Sequence, residues 1–407
     1  MKKQQLIALL FIGFNLFLYA QKTDFTKSFI GISSDLTNNA NYVVRSKSTN
    51  VNIVSTKSMI IDYDMVVTVL NEAGEIDPFF YEGYDNHTTI HSIQILVYNA
   101  MGKRIKKVKS KEINDVSATQ DFTLHSDNRI KYYKHITNSY PYTLSIKYKV
   151  RTSNTAFIPK WFPINSFYQS VEKDTYSITY PKDVTLNYDV TNVDEFNIDK
   201  SITANKITFK ATNIKAISKE DYMPSFSKTI PNVSFSLSEF SLAGEIGNAS
   251  SWEEFGLWMY EKLLKGRNEL PESTKKDIDA LIIGINNPME RAKLVYAYMQ
   301  NRTRYISVQI GIGGWKPMLA NEVDKLGYGD CKALSNYTQS LMEHANVPSV
   351  YTIVYSGRKR DLKKDLVSVQ GNHAILMLPT KRDTIWLECT NQKLPFGQTE
   401  VPMIEKY

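Results

Sequence analysis

Two cysteines, Cys331 and Cys389, are all that 407 residues contain. An exported domain stapled by disulfides would normally carry more. A single Cys331–Cys389 bridge stays open, since a sequence alone does not exclude proximity. That bridge would consume the thiol on which a catalytic reading depends. No apolar run reaches the roughly 20 residues of a spanning helix, so no transmembrane anchor is expected. Basic residues are in mild excess, 49 Lys+Arg against 42 Asp+Glu for a net +7, and they form no dense cluster. A nucleic-acid footprint is therefore not expected. The basic stretch from Lys103 to Lys111 reads as a solvated hairpin tip or strand edge. Histidine is also sparse. His87, His91, His125, His135 and His344 lack partners at meaningful spacing. His87 and His91 have a metal-ligand spacing, but on a strand or loop they would not sit together as on a helix. No metal and no cofactor are expected. There is no internal repeat and no low-complexity tract.

What is present suits a globular chain of two or three domains at roughly 150 residues each. Hydrophobic residues make up 42%, enough to bury real cores. The 25 tyrosines, with many Thr, Val and Ile, favour β-structure. Lys2 and Lys3 precede an apolar run from Leu6 to Leu18, broken by Gly13 and Asn15, and Ala20 offers a small residue before Gln21. This is the pattern of a secretory signal peptide over residues 1–20. No cysteine follows it directly, so a lipid anchor is not expected. Loss of Lys2 and Lys3 would lower the net charge to +5. The expected location is periplasmic or extracellular.

From about Ser58 to Phe209 the dominant signal is alternation. Leu144, Ile146, Tyr148 and Val150 point one way, Thr143, Ser145, Lys147 and Lys149 the other. Val184, Leu186, Tyr188 and Val190 repeat the pattern. A period of two marks half-buried strands. Met59 to Leu70, Ile93 to Tyr98 and Tyr176 to Tyr180 also suit strands, with turns at Glu72-Ala73-Gly74 and Ala100-Met101-Gly102. The expectation is a β-sandwich-like domain over 21–245. The pattern then changes abruptly. Ser251-Trp252-Glu253-Glu254 opens a helix with a capping box, and Trp252, Phe255, Met259 and Leu263 follow at helical spacing before Gly266. Asn287-Pro288 opens another, whose buried face should include Leu294 and Tyr298. Leu334, Tyr337 and Leu341 mark a third, and strand-like runs follow at Val350 to Tyr355, His373 to Leu378 and Thr384 to Leu387. Helices followed by strands indicate an α+β domain over 246–407.

Gly327-Tyr328-Gly329-Asp330-Cys331 places a cysteine at the start of the third helix. Unpaired backbone N–H groups and the helix dipole there favour the nucleophilic thiolate. The Cys331 N–H can also serve as an oxyanion donor. Asp330 reads as a helix cap rather than a catalytic acid. His373 lies 42 residues downstream, at the head of an alternating strand, where its ring can face the helix start. Glu388 ends the next strand, where a hairpin could bring it beside His373 to orient the imidazole. Cys389, its neighbour, would point to the opposite face and into the core.

These residues carry a resemblance to a known family. Tyr328-Gly329-Asp330-Cys331-Lys332, Asn372-His373-Ala374 and Trp386-Leu387-Glu388 resemble the core of the transglutaminase-like superfamily. Tyr305-Ile306-Ser307-Val308-Gln309 and Gly311-Ile312-Gly313-Gly314-Trp315-Lys316-Pro317 sharpen the match. The chain resembles exported bacterial proteins in which a DUF3857 domain precedes such a core. The resemblance implies a papain-like α+β fold and acyl transfer through a Cys331 thioester. His373 would be the general base and acid, Glu388 the orienting group, and Gln309 or Trp315 the side-chain oxyanion donor. The substrate implied is a peptide or protein amide in the envelope or outside the cell. Three features depart from the family pattern. The acid is Glu388 where Asp is usual, Ala333 stands where many relatives are acidic, and the chain stops at Tyr407 where relatives continue into another β domain. A truncated product, and a catalytically inactive envelope binding or assembly protein that keeps the fold, are therefore alternatives.

Overall fold

The structure is a computed structural model, and it describes residues 24–75, 80–118, 123–357, 362–381 and 383–399. The expected signal peptide and the chain end at Tyr407 lie outside these residues. Alternation in the N-terminal half produces one large sheet. Its strands are β1 (Tyr42–Ser55), β2 (Ser58–Val69), β3 (Thr88–Asn99), β4 (Arg104–Lys107), β5 (Tyr142–Thr152), β6 (Gln169–Thr179), β7 (Ile198–Thr203) and β8 (Lys206–Ile214). Their spatial order is β7-β8-β6-β1-β2-β5-β3-β4. The pairing of β1 with β6 is parallel and the remaining pairings are antiparallel.

Of the expected β-sandwich-like domain, the strand-rich character is present, but the sheets are unequal. One mixed eight-stranded sheet dominates, and smaller sheets cover it in patches. Strand Asn232–Leu237 pairs with Leu186–Thr191 and stacks Phe235 on Tyr176 of β6, ring centroids 4.9 Å apart. Strand Phe80–Tyr84 sets Phe80 edge-on to Tyr148 of β5 at 5.1 Å. Alternation reports which face is buried but not the direction of the neighbouring strand, so the parallel pair was invisible to it. On β5 the expected face is buried at Leu144, Ile146 and Val150, but Thr143 and Ser145 are buried too. Thr143 hydrogen-bonds Thr68 across the sheet at 2.9 Å. The basic run beginning at Lys103 forms the edge strand β4, where lysines discourage further pairing.

Helix α1 (Trp252–Met259) starts where expected, with the Ser251 hydroxyl accepting from the Glu254 N–H at 3.1 Å. Its buried face is Phe255 and Trp258 rather than Trp252 and Met259. Trp252 stays 38% exposed, with its indole N–H donating to the Lys364 carbonyl. Phe255, Trp258 and Leu263 join the core of the large sheet, whereas residues from Leu270 onward build a second core. That second core is formed by α2 (Glu272–Leu281), α3 (Pro288–Arg302), α4 (Ala320–Leu326) and α5 (Cys331–His344). They pack with a three-stranded antiparallel sheet of β9 (Val350–Val354), β10 (His373–Pro379) and β11 (Thr384–Leu387). Asn287 caps α3 through its side chain, as its sequence suggests. The buried face of α3 is Ala292, Val295, Tyr296 and Met299, and Leu294 and Tyr298 are only half-buried. The face is rotated because Tyr296 must point under β11, where its hydroxyl donates to the Glu388 carbonyl at 2.6 Å. Leu334, Tyr337 and Leu341 of α5 are fully buried against Leu376 and Leu378 of β10.

Candidate active site

The start of α5 is fixed by its own sequence. Asp330 is the N-cap, and its Oδ1 accepts the Ala333 N–H at 3.0 Å. Its other oxygen pairs with Lys332, and both side chains are nearly buried. Asp330 is thus committed to the cap. Gly329 is required by crowding, because a Cβ there would stand 2.8 Å from that of Ala333. Cys331 occupies the first helical position, partly exposed, as a free thiol. Cys389 is also free and fully buried, and no disulfide joins them. Burial pushes the Cys389 thiol up to about 12, so it stays protonated in the core.

Strand β10 is locked to α5 by the Ser335 hydroxyl, which donates to the Ala374 carbonyl at 2.9 Å. His373 heads that strand, opposite Val354. The preceding turn holds it there. Asn372 donates its N–H to Val354 and exchanges side-chain hydrogen bonds with the Ser356 backbone. Gly371 adopts φ +88°, and a Cβ there would meet the Ile353 side chain at 2.3 Å. Gly371→Ala is expected to cost about 2 kcal/mol or more, through positive φ and overlap together. Urea unfolding measures it, and an unchanged midpoint would refute the role given to this turn.

The His373 ring makes two contacts. Its Nε2 lies 2.8 Å from Glu388 Oε2, and Cys331 is near enough to raise the ring's pKa. With Nε2 engaged by the carboxylate, Nδ1 is the nitrogen left for the thiol. Glu388 follows β11 directly and is held by three further bonds. Its Oε1 accepts the Thr390 N–H at 2.9 Å and the Thr390 hydroxyl at 2.6 Å, and its carbonyl accepts from Tyr296. Burial would push the His373 pKa down, but the contacts with Cys331 and Glu388 outweigh it and raise the ring to about 10. Burial likewise opposes ionisation of Glu388, yet His373 and Thr390 hold its carboxyl below the usual value.

These shifts predict a pH window for stability. His373 titrates near 10 when folded against 6.5 as a model group, so its contribution is complete below about 6.5 and lost as pH rises toward 10. Glu388 is depressed below 4.5, so its contribution is complete above about 4.5 and lost as pH falls further. The melting-temperature difference between wild type and His373→Ala should peak between about pH 4.5 and 6.5 and shrink on either side. A difference that is flat with pH would contradict the paired charges.

Gln309 and Trp315 have their own packing partners. Gln309 ends a short strand, Ser307–Gln309, that pairs in parallel with Thr123–Ser126 of the N-terminal half. Trp315 packs on Phe157, ring centroids 5.5 Å apart. Both line a cavity whose described walls include neither Cys331 nor His373. A local motif reading could not see that strand partner. Sequence reasoning missed the supports of Glu388, namely Thr390 and Tyr296. Thr390, two residues on from the acid, was the legible one. It also missed Tyr305 and Tyr351, whose hydroxyls burial and the nearby Cys331 keep protonated.

Among the described residues, no group of three or more His, Cys, Asp or Glu could hold a metal ion. No described helix is long and apolar enough to cross a membrane.

No curated protein matches the chain. A solved structure from Parabacteroides distasonis ATCC 8503, described as a "putative protease", is similar in fold at a TM-score of 0.61. It is 13% identical and covers 85% of this chain and 67% of its own. A "putative cysteine protease" from Cytophaga hutchinsonii is 9% identical over 82% of this chain and 76% of its own, but its TM-score of 0.23 supports no fold argument. Residues 55–218, most of the large sheet, match the family DUF3857, a domain of unknown function with solved structure.

Proposed function

We propose that the chain is an exported, transglutaminase-like cysteine enzyme that transfers acyl groups from peptide or protein amides. The observation that carries this reading is the 2.8 Å contact of His373 Nε2 with Glu388, on a ring that the nearby Cys331 also influences. His373, held protonated at neutral pH, carries the proton that left the thiol as Cys331 Sγ attacks the amide carbon. It then donates that proton to the departing nitrogen as the C–N bond breaks, leaving a thioester. Water or an amine, deprotonated by His373, resolves the thioester and restores the thiol. Glu388 holds the ring with Nδ1 toward sulfur and stabilises the imidazolium. The Cys331 N–H, in the first helical turn where no intrahelical acceptor exists, is the donor assigned to the oxyanion.

The test is turnover of a panel of glutamine-containing and peptide-bond substrates, followed by ammonia or new amine release. Wild type should turn over at least one substrate, and Cys331→Ser should turn over none while melting at the same temperature. Equal activity in both proteins would sink the reading. A wild type inert across the panel would favour a binding or assembly protein on the same fold.

A further inference from the structure

The glycine-rich segment from Gly311 to Trp315 lies against the large sheet. It closes a cavity of about 420 Å3 between the large sheet and the second half of the chain. Asp127 bridges the two walls. Its Oδ1 accepts the Gly311 N–H at 3.3 Å, and its Oδ2 accepts the Asn86 side-chain amide at 2.9 Å. Gly311 adopts φ +48°, which turns the chain so that Trp315 comes over the cavity beside Phe157.

The lining has a definite chemistry. Tyr63, Phe157 and Trp315 supply aromatic surface, and Met59, Ile61 and Val150 supply an apolar floor from the sheet. Glu82, Asp85 and Asp127 supply three carboxylates, and no lysine or arginine lies among the described lining residues. Glu82 is fixed from behind, accepting the Tyr148 hydroxyl at 2.7 Å while Tyr148 stacks on Tyr63 at 4.6 Å. Asp85 is fixed by the His87 N–H at 2.9 Å. Burial, working against the hydrogen bonds from Tyr148 and Gly83, keeps the Glu82 carboxyl above its usual range. A cation in the cavity would relieve that cost.

We propose that this cavity binds the basic side chain of a peptide, lysine or arginine. Such a side chain has an apolar stem for the floor and a cationic head for the aromatic rings and carboxylates. A neutral sugar would use the same aromatic surface but leave three carboxylates without a counter-charge. Binding here is independent of turnover at Cys331, which does not line the cavity.

The experiment is isothermal titration calorimetry on the full chain carrying Cys331→Ser, so that no turnover confuses the heats. The probes are N-acetylated, C-amidated Gly-Lys-Gly and its isostere with norleucine in place of lysine. The lysine peptide should bind at least about tenfold tighter, the scale of one partly desolvated cation contact. Glu82→Gln, which keeps the shape, and Asp85→Asn, nearer the rim, should each remove most of that preference. Circular dichroism and melting confirm that both variants are folded, and either one alone reads the effect. Equal affinity for the two peptides, no binding of either at millimolar concentration, or undiminished preference in both variants would overturn the proposal. So would displacement of the lysine peptide by a neutral oligosaccharide that binds more tightly.

Discussion

Alanine at position 373 is expected to slow alkylation of Cys331 by iodoacetamide at neutral pH by about 10²-fold or more, the range of a removed general base. The ring is held above its usual pKa by the nearby Cys331 and by Glu388. Cys389 adds no background, being buried and pushed up to about 12. His373→Gln, which keeps volume in the half-buried slot, should give a similar loss and so separate chemistry from packing. Rates within about threefold of wild type in both variants would show that the thiol is not activated by the ring.

Glu388 should matter nearly as much, and its length should matter as well as its charge. Leu387 pairs with Leu376, so extending that register by one residue sets Glu388 opposite Ile375. His373 is then the diagonal neighbour on the same face, about 7–8 Å away in a regular ladder. The extra methylene of glutamate covers that diagonal and delivers Oε2 to 2.8 Å from the ring. Glu388→Gln keeps the reach but not the charge, and a loss on the order of 10²–10⁴ in acyl-transfer rate is expected. Glu388→Asp keeps the charge but falls short, and a loss of about 10²-fold is expected from the misplaced ring. The measurement is single-turnover acylation by an activated ester. Full activity in Glu388→Asp would mean that β11 can slide to meet the ring, against the register seen here.

The site was more legible than the fold around it. Cys331, His373 and Glu388 could be read from short motifs because each lies at an element end: a helix start, a strand head and a strand exit. Local sequence announces such ends through caps and turns, as Asp330 and Gly371-Asn372 do. The pairing of Ser307–Gln309 with Thr123–Ser126 was not legible, because the partner lies far away in the sequence. The same limit hid the parallel β1–β6 pair, since alternation carries no strand direction. On α3, Leu294 and Tyr298 fit the helical period as well as Val295 and Tyr296 do. In the structure Val295 and Tyr296 face the core, and Tyr296 bonds the Glu388 carbonyl.

If Cys331 forms an acyl-enzyme, intact-mass analysis after brief exposure to an activated ester should show a single added acyl group that maps to Cys331, is released by hydroxylamine, and accumulates far more slowly in His373→Ala. An adduct on Cys389, or equal accumulation with and without His373, would contradict it.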